Sequence, residues 1–179
     1  MMPISLPEDS MTEMKICSFT GHRKIEKEHE KLLPGLLKSA LRYAYDEGCR
    51  YFISGGALGF DTEVAKELIA MRMMYTDIRI VLALPCKNQS DNWQDRDKSV
   101  YEYILSVADE IVYTADEYTD GCMKKRNKYL AESCDMMISY VGRGGSGSSQ
   151  TARIAESLGK PVYNLYPRLC TMARENQER

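Results

Sequence analysis

The feature that most constrains the fold is a strict alternation of short apolar runs with segments of helical periodicity. The clearest run, Ile78–Leu84, is almost wholly apolar, as is typical of a strand covered on both faces. The clearest helical pattern runs from Leu33 to Ala44, where leucines and alanines recur at helical spacing, and Gly48 is a natural stop. Strands that alternate with helices favour a parallel sheet with right-handed crossovers.

The alternation predicts an α/β protein, a three-layer Rossmann-like fold with a mainly parallel sheet of about six strands. The predicted strands are Met14–Thr20, Tyr51–Ser54, Ile78–Leu84, Glu110–Tyr113, Met136–Val141 and Pro161–Tyr166. We expect a single domain over residues 14–167. The acidic segment 1–13 and the polar segment 168–179 are expected to be flexible tails.

The composition argues against several classes of protein. No apolar run approaches the ~20 residues that a membrane span needs, so no membrane partner is expected. The net charge of −2 and the isoelectric point of about 5.8 argue against broad nucleic-acid binding. The six cysteines are scattered without a CxxC pair and there are only two histidines, so no metal site is expected. We interpret the cysteines as reduced thiols in the core of a cytoplasmic protein, with no cofactor.

A glycine and two basic residues follow the first predicted strand, in Thr20-Gly21-His22-Arg23. Gly21 allows backbone N–H groups to turn toward a ligand, and Arg23 is able to bind a phosphate or carboxylate with two donors. The alternative is a simple strand exit with a solvated arginine. The tetrapeptide is therefore a candidate anion site.

Two glycine-rich loops each follow a predicted strand and open a helix. The first includes Ser54, Gly55, Gly56 and Asp61, and the second is Gly142–Ser149. Free N–H groups and the helix dipole at such a position suit an anion. Neither loop has the Walker or GxGxxG spacing, and a flexible surface loop is the alternative for the second. Because both loops hold the same topological position, we expect them to meet at one edge of the sheet and to bind phosphate. Asp61 is either a helix cap or a ligand for a ribose hydroxyl.

A polar pair interrupts the inward face of the fourth predicted helix, Cys122–Ser133. Arg126 and Asn127 share that face with Met123 and Leu130. Buried arginine is rare unless it is paired, so Arg126 is expected to reach a ligand, an acidic residue or a carbonyl. A structural salt bridge is the competing account. The single tryptophan, Trp93, is expected to pack under a loop rather than to stack on a base.

The ordered set of motifs resembles the SLOG superfamily, which joins the DNA-processing Smf/DprA proteins to the Lonely Guy cytokinin-activating enzymes. The likeness is greatest to its YpsA-like bacterial branch of unknown function. The motifs that carry it are Thr20–Arg23, Ile53–Asp61, Met123 with Arg126 and Asn127, Ser133–Asp135, and Gly144–Ser148. The resemblance spans Met14 to about Pro167 and implies a Rossmann-like domain that handles nucleotides or nucleic acid.

The resemblance also implies roles for particular positions. Arg126 matches the helix arginine of the Lonely Guy enzymes, whereas Thr151 stands where those enzymes have a catalytic glutamate. In DprA, the stretch similar to Ser54–Asp61 belongs to a domain that binds single-stranded DNA. The candidates for catalysis are Arg126, Asp61 and Glu63.

The sequence therefore predicts a sensor or processing module that binds a small nucleotide-type ligand, such as an ADP-ribose-like molecule. The alternatives are a Lonely Guy-like nucleotide N-glycosidase and DprA-like binding of single-stranded nucleic acid. Nucleic acid is not the expected partner, and a homodimer is left open. The predicted ligand-binding residues are Gly21, His22, Arg23, Ser54, Gly55, Gly56, Asp61, Arg126, Asn127, Gly144, Gly145, Ser146, Gly147 and Ser148.

Overall fold

The computed structural model describes residues 13–178, in which strands and helices alternate. The strands are β1 (Lys15–Gly21), β2 (Cys49–Ser54), β3 (Arg79–Leu84), β4 (Glu110–Tyr113), β5 (Met136–Tyr140) and β6 (Val162–Asn164). The helices are α1 (Leu33–Asp46), α2 (Phe60–Arg72), α3 (Asp95–Val107), α4 (Cys122–Ser133), α5 (Gly147–Ser157) and α6 (Tyr166–Gln177). The predicted α/β alternation is confirmed.

The six strands form one sheet in the order β4-β3-β2-β1-β5-β6, and every neighbouring pair is parallel. The strand order reverses at β1, because the chain crosses from the β4 edge to β5 through α4. The carboxyl ends of β1 and β5 thus lie side by side where their following loops diverge. In open α/β sheets this is where ligands bind.

Helices cover both faces of the sheet, which makes the predicted three layers. On one face, α1 and α2 pack through Leu37 and Val64 against Phe19 and Phe52. On the other face, α4 packs through Leu130 against β2 and β3, and α5 packs against β5. Burial on both faces explains why β3 and β5 are nearly all apolar in sequence.

The carboxyl-terminal segment differs from the flexible tail expected over residues 168–179. Most of it lies in α6, which begins at Tyr166 and fully buries Leu169 against the main core. The predicted last strand, Pro161–Tyr166, is correspondingly shorter, because Tyr166 already starts the helix. One buried leucine in a polar segment leaves too weak a periodicity to predict a helix. Most of the expected tail 1–13 lies outside the described residues.

The cysteines are unpaired, and all except the half-buried Cys170 are buried. Within residues 13–178 no cluster of three or more His, Cys, Asp or Glu side chains is placed to hold a metal ion. None of the described helices combines the length and the apolar character that crossing a membrane requires.

Candidate functional site

A cavity of about 360 Å³ opens at the sheet edge where the strand order reverses. The loop after β1 and the beginning of α5 both line it. The inward face of α4 contributes Arg126 and Asn127, and α2 contributes Asp61. The loops after β1, β2 and β5 therefore meet at the same edge of the sheet.

Positive charge is concentrated around this cavity. Among the described side chains that line it, Arg23, Lys24, Arg126 and Arg143 are basic, whereas Asp61 is the only acidic one. The chain as a whole carries a net charge of −2, so the local balance is opposite to the global one. A concave surface with one sign of charge focuses the field and attracts the opposite charge. The cavity thus favours an anion.

Arg126 lies at the floor of the cavity and is only 5% exposed. It donates from Nη1 to the carbonyl of Gly55 and from Nε to Oδ1 of Asn127 at 2.8 Å. Its Nη2 has a weaker contact, 3.7 Å from the Met123 thioether. None of the ion pairs among the described residues includes Arg126. Of the partners predicted for it, the carbonyl is the one observed, and the salt bridge is not.

Gly55 is required by the approach of Arg126. A Cβ atom at this position would lie 2.7 Å from Arg126 Nη1 and 3.0 Å from Asp61 Oδ2. Any side chain would therefore displace the guanidinium or the carboxylate. Gly55 and its neighbour Ser54 are buried beneath these groups and do not line the cavity. Gly55 thus acts through Arg126 rather than by direct access to a ligand.

Asp61 is 7% exposed and lies in the first turn of α2. Its Oδ2 accepts a hydrogen bond from the N–H of Ala57 at 3.1 Å, whereas its buried Oδ1 has no partner within residues 13–178. Burial raises its pKa to about 6, although Arg126 and the Ala57 N–H act in the opposite direction. The helix-capping interpretation is not observed, because Gly59 precedes α2 without a side-chain cap and Asp61 binds upstream.

His22 joins the loops that form the cavity. Its Nε2 accepts from the N–H of Gly142 at 2.9 Å, which leaves Nδ1 to carry the proton toward Ser148 Oγ at 3.2 Å. Its backbone carbonyl accepts from the N–H of Phe60, the first residue of α2, at 3.1 Å. Burial and the charge of Arg143 lower its pKa. Both ring nitrogens are therefore engaged within the protein.

The amino end of α5 faces the cavity. Ser146 caps this helix by accepting from the N–H of Ser149 at 3.1 Å. The N–H groups of Gly147 and Ser148, in the first turn, have no intrahelical acceptor and lie at the positive end of the helix dipole. Thr151, at the position of the Lonely Guy glutamate, is fully buried and donates to the Gly147 carbonyl at 2.7 Å. It offers no acid to the site.

The structure brings most, but not all, of the predicted ligand-binding residues to this cavity. Gly56 lines a neighbouring cavity instead, and Gly144 and Gly145 are exposed outside both. Glu63, a candidate for catalysis, also lies at the neighbouring cavity, where it pairs with Lys66 at 2.9 Å. The residues of that set that line the cavity are Gly21, His22, Arg23, Asp61, Arg126, Asn127, Ser146, Gly147 and Ser148.

Sequence reasoning missed Lys24 and Arg143, which both line the cavity. Lys24 directly follows the Thr20–Arg23 motif, and Arg143 lies within the predicted Gly142–Ser149 loop, so a basic residue beside a glycine turn was the available signal. The neighbouring cavity, of about 410 Å³, lies between the loop after β2 and α3. Trp93 lines it and packs against Tyr101 with ring centroids 5.0 Å apart. Trp93 therefore packs against α3 at an open cavity, whereas the sequence led us to expect it under a loop.

Comparison with known proteins decides the family. The model of the YspA SLOG family matches residues 17–160, which include every loop described above. The chain belongs to the YspA SLOG family. The predicted resemblance to the YpsA-like SLOG branch is thus confirmed.

Curated relatives of this SLOG chain include two proteins of Bacillus subtilis (strain 168). The uncharacterized SPbeta prophage-derived protein YoqJ is 27% identical over 130 residues, which cover 65% of this chain and 76% of YoqJ. The UPF0398 protein YpsA is 25% identical over 164 residues, which cover 84% of this chain and 91% of YpsA. The similarity to YpsA thus extends over nearly its full length.

A solved structure similar to this SLOG chain is DNA processing protein A from Helicobacter pylori, which is described by its single-stranded DNA binding mode. The TM-score is 0.59 at 19% identity, over 83% of this chain. The chain spans 63% of that protein's structure, so the likeness concerns the fold. Because a protein of this fold binds DNA, the comparison does not support the expectation that nucleic acid is not a partner.

Proposed function

We propose that this protein binds a phosphate-bearing, nucleotide-type ligand in the 360 Å³ cavity, as a sensor or processing module. The observation that carries the proposal is the meeting of four basic side chains and the amino end of α5 around one acidic residue. Phosphate groups bind where free N–H groups, a helix dipole and arginines converge.

The hydrogen bonds of Arg126 suit this role. Gly55 and Asn127 hold Nη1 and Nε, whereas the Met123 thioether is the only hydrogen-bond partner of Nη2 among the described residues. Because a thioether is a weak acceptor, the donors on Nη2 are available for phosphate oxygens. The exposed Arg23 and Arg143 at the rim attract an anion from solution and complete its coordination.

Calorimetric titration with AMP, ADP-ribose and pyrophosphate tests the proposal. We expect the double variant Arg23→Gln/Arg143→Gln to bind at least tenfold more weakly, since charged hydrogen bonds contribute about 1.5–3 kcal/mol each. Lys124→Gln/Lys125→Gln is the matched control, because it removes the same charge from exposed positions of α4 outside the cavity. An equal loss of affinity in both variants would show that binding depends only on the net charge of the protein. The absence of binding by the wild type would refute the proposal.

A second candidate is cleavage of the N-glycosidic bond of a nucleotide. Asp61 favours it, because a buried carboxyl group with a pKa of about 6 is suited to general acid–base catalysis near neutral pH. Arg126 lines the same cavity and would orient the phosphate. The test is release of free base from nucleoside monophosphates. Asp61→Asn should abolish release of the base, whereas the nucleotide should still bind. If the wild type releases no base, this second candidate is excluded and only the binding function remains.

Single-stranded DNA is the third ligand to test. Binding of DNA to a basic site weakens steeply as the salt concentration rises, because counterions are released. A fluorescent oligonucleotide titrated at several salt concentrations therefore distinguishes this function. Tight, salt-dependent binding of the oligonucleotide without binding of mononucleotides would replace our proposal.

A further inference from the structure

The two cavities at the sheet edge adjoin each other. The 410 Å³ cavity beside α3 and the 360 Å³ cavity beside α5 are both lined by Arg23, Ala57 and Asp61. These three residues thus form a shared wall. An elongated ligand that binds in one cavity would pass this wall to reach the other.

We propose that the two cavities form a single two-part site for a ribonucleotide. The phosphate lies in the 360 Å³ cavity, the base lies beside Trp93 in the 410 Å³ cavity, and the ribose lies at Asp61. This inference rests on the proposed binding of a nucleotide-type ligand and specifies how the base and the sugar are recognised.

The wall of the second cavity is suited to a base. Trp93 is half-buried, and Tyr101 packs against its ring at an interplanar angle of 64°. Tyr101 is held in turn by Gln89, whose Nε2 donates to the Tyr101 hydroxyl at 2.9 Å and to the Gly56 carbonyl at 3.2 Å. The tryptophan is therefore fixed to the glycine loop that leads to Asp61. Bases stack on such aromatic surfaces with little dependence on their identity.

The charges of the second cavity indicate that it takes the neutral part of the ligand. Its acidic side chains, Asp61, Glu63 and Asp97, are balanced by Arg23, Lys66 and Arg96. Ile25, Val100 and Ile104 contribute apolar side chains to the lining. The 360 Å³ cavity, in contrast, has an excess of basic groups. The difference places the phosphate and the base in separate cavities.

Asp61 has an unsatisfied atom at the boundary between the two parts. The side chain is 7% exposed, and no described residue gives its Oδ1 a hydrogen-bond partner. Buried polar atoms in folded proteins are nearly always hydrogen-bonded, so a missing partner calls for an explanation. A ribose hydroxyl that donates to this carboxylate would supply the partner. A deoxyribonucleotide lacks one of the two ribose hydroxyl groups and would bind more weakly.

The single tryptophan makes the second cavity directly observable. We would titrate the wild type with AMP, GMP, CMP, UMP and pyrophosphate, and follow Trp93 fluorescence and binding heat in parallel. At least one nucleotide should change the fluorescence, whereas pyrophosphate should give heat without a change. We expect Trp93→Leu to reduce the affinity for that nucleotide on the order of tenfold, and to leave the affinity for pyrophosphate unchanged.

Further variants separate recognition from folding. Trp93→Phe retains a stacking surface and should recover much of the lost affinity, and Tyr103→Leu removes an exposed aromatic residue of α3 outside both cavities. The wild type should prefer AMP to dAMP, and Asp61→Asn should reduce this preference. Nucleotide binding that leaves Trp93 fluorescence unchanged and is insensitive to Trp93→Leu would overturn the two-part site but not phosphate binding. If no phosphate compound binds, both proposals fail.

Discussion

The side chains of Asp61 and Arg126 are both buried, and both lie next to Gly55. They do not form an ion pair with each other, and neither belongs to any ion pair among the described residues. A Cβ atom at Gly55 would lie 3.0 Å from Asp61 Oδ2 and 2.7 Å from Arg126 Nη1. Each group instead hydrogen-bonds to backbone, and each retains an atom without a strong partner. Neither charge is therefore neutralised by an ion pair among the described residues.

Replacing Arg126 should weaken ligand binding more than folding. We expect Arg126→Ala to reduce affinity for the bound nucleotide about thirtyfold, or about 2 kcal/mol, as for loss of a charged hydrogen bond. The unfolding free energy should fall by about 1 kcal/mol, because the buried Gly55 carbonyl loses its donor. Chemical denaturation of the apo protein and calorimetry measure the two effects.

Arg126→Lys provides the control for charge. A lysine retains the positive charge but not the planar set of donors that reaches Gly55 and Asn127. If the positive charge alone determined affinity, Arg126→Lys would bind the nucleotide as tightly as the wild type does. We expect it to restore only part of the affinity that Arg126→Ala loses. A large loss of apo stability with unchanged affinity in Arg126→Ala would show that the arginine has a structural role only.

Adding a methyl group at Gly55 should reproduce part of the Arg126→Ala effect. In Gly55→Ala the new Cβ displaces the guanidinium, at a cost of about 1–3 kcal/mol in stability, as is typical of overpacking. Gly35→Ala is the control, because no described atom beyond its own helix backbone and chain neighbours lies within 4 Å of its added Cβ. It is in α1, where alanine is favoured by about 0.5–1 kcal/mol. Parallel denaturation and nucleotide titration measure the outcomes. Unchanged affinity in Gly55→Ala would separate this glycine from the site.

The stability of the protein should depend on pH through Asp61. Its pKa rises from 3.8 in the unfolded reference to about 6, so the folded state binds more protons between these values. The contribution of Asp61 to the free energy of unfolding is therefore greatest in acid. It is lost as the pH rises through 6, and the total loss is about 3 kcal/mol. Asn does not titrate, so Asp61→Asn should gain this amount relative to the wild type between pH 4 and pH 7.

Urea denaturation of both proteins across this range measures the difference. Glu102→Gln, which neutralises an exposed acid on α3, serves as the control and should show no comparable gain. A stability difference between Asp61→Asn and the wild type that does not vary with pH would contradict the raised pKa of Asp61.

His22 should contribute a pH dependence of the opposite sign. Burial and Arg143 lower its pKa from 6.5, so its contribution to stability is present above pH 6.5 and is lost as the pH falls below that value. Protonation also removes the acceptor of the Gly142 N–H. NMR titration of the imidazole signals should show a pKa below 6.5 for His22, and His22→Gln assigns the signal, since the chain has only two histidines. A pKa of 6.5 or higher would contradict this role.

The order of elements could be read from the sequence because a sheet buried on both faces demands continuous apolar runs. Ile78–Leu84 and Met136–Val141 therefore predicted β3 and β5 within one residue at each end. The helix α6 was missed, since its one fully buried side chain, Leu169, gives no repeated pattern. Local periodicity predicts an element only when several of its residues face the core.

The edge at which the loops meet was also predictable, because every loop after a parallel strand emerges on the same side. The sequence alone thus determined the α/β class, the family resemblance and the set of turns around the candidate site. Only the tertiary structure decided the role of each residue in them: Gly55 makes room for Arg126, His22 binds other loops, and Lys24 and Arg143 reach the cavity. These roles depend on distances between segments far apart in the chain, which packing sets and local sequence patterns do not encode.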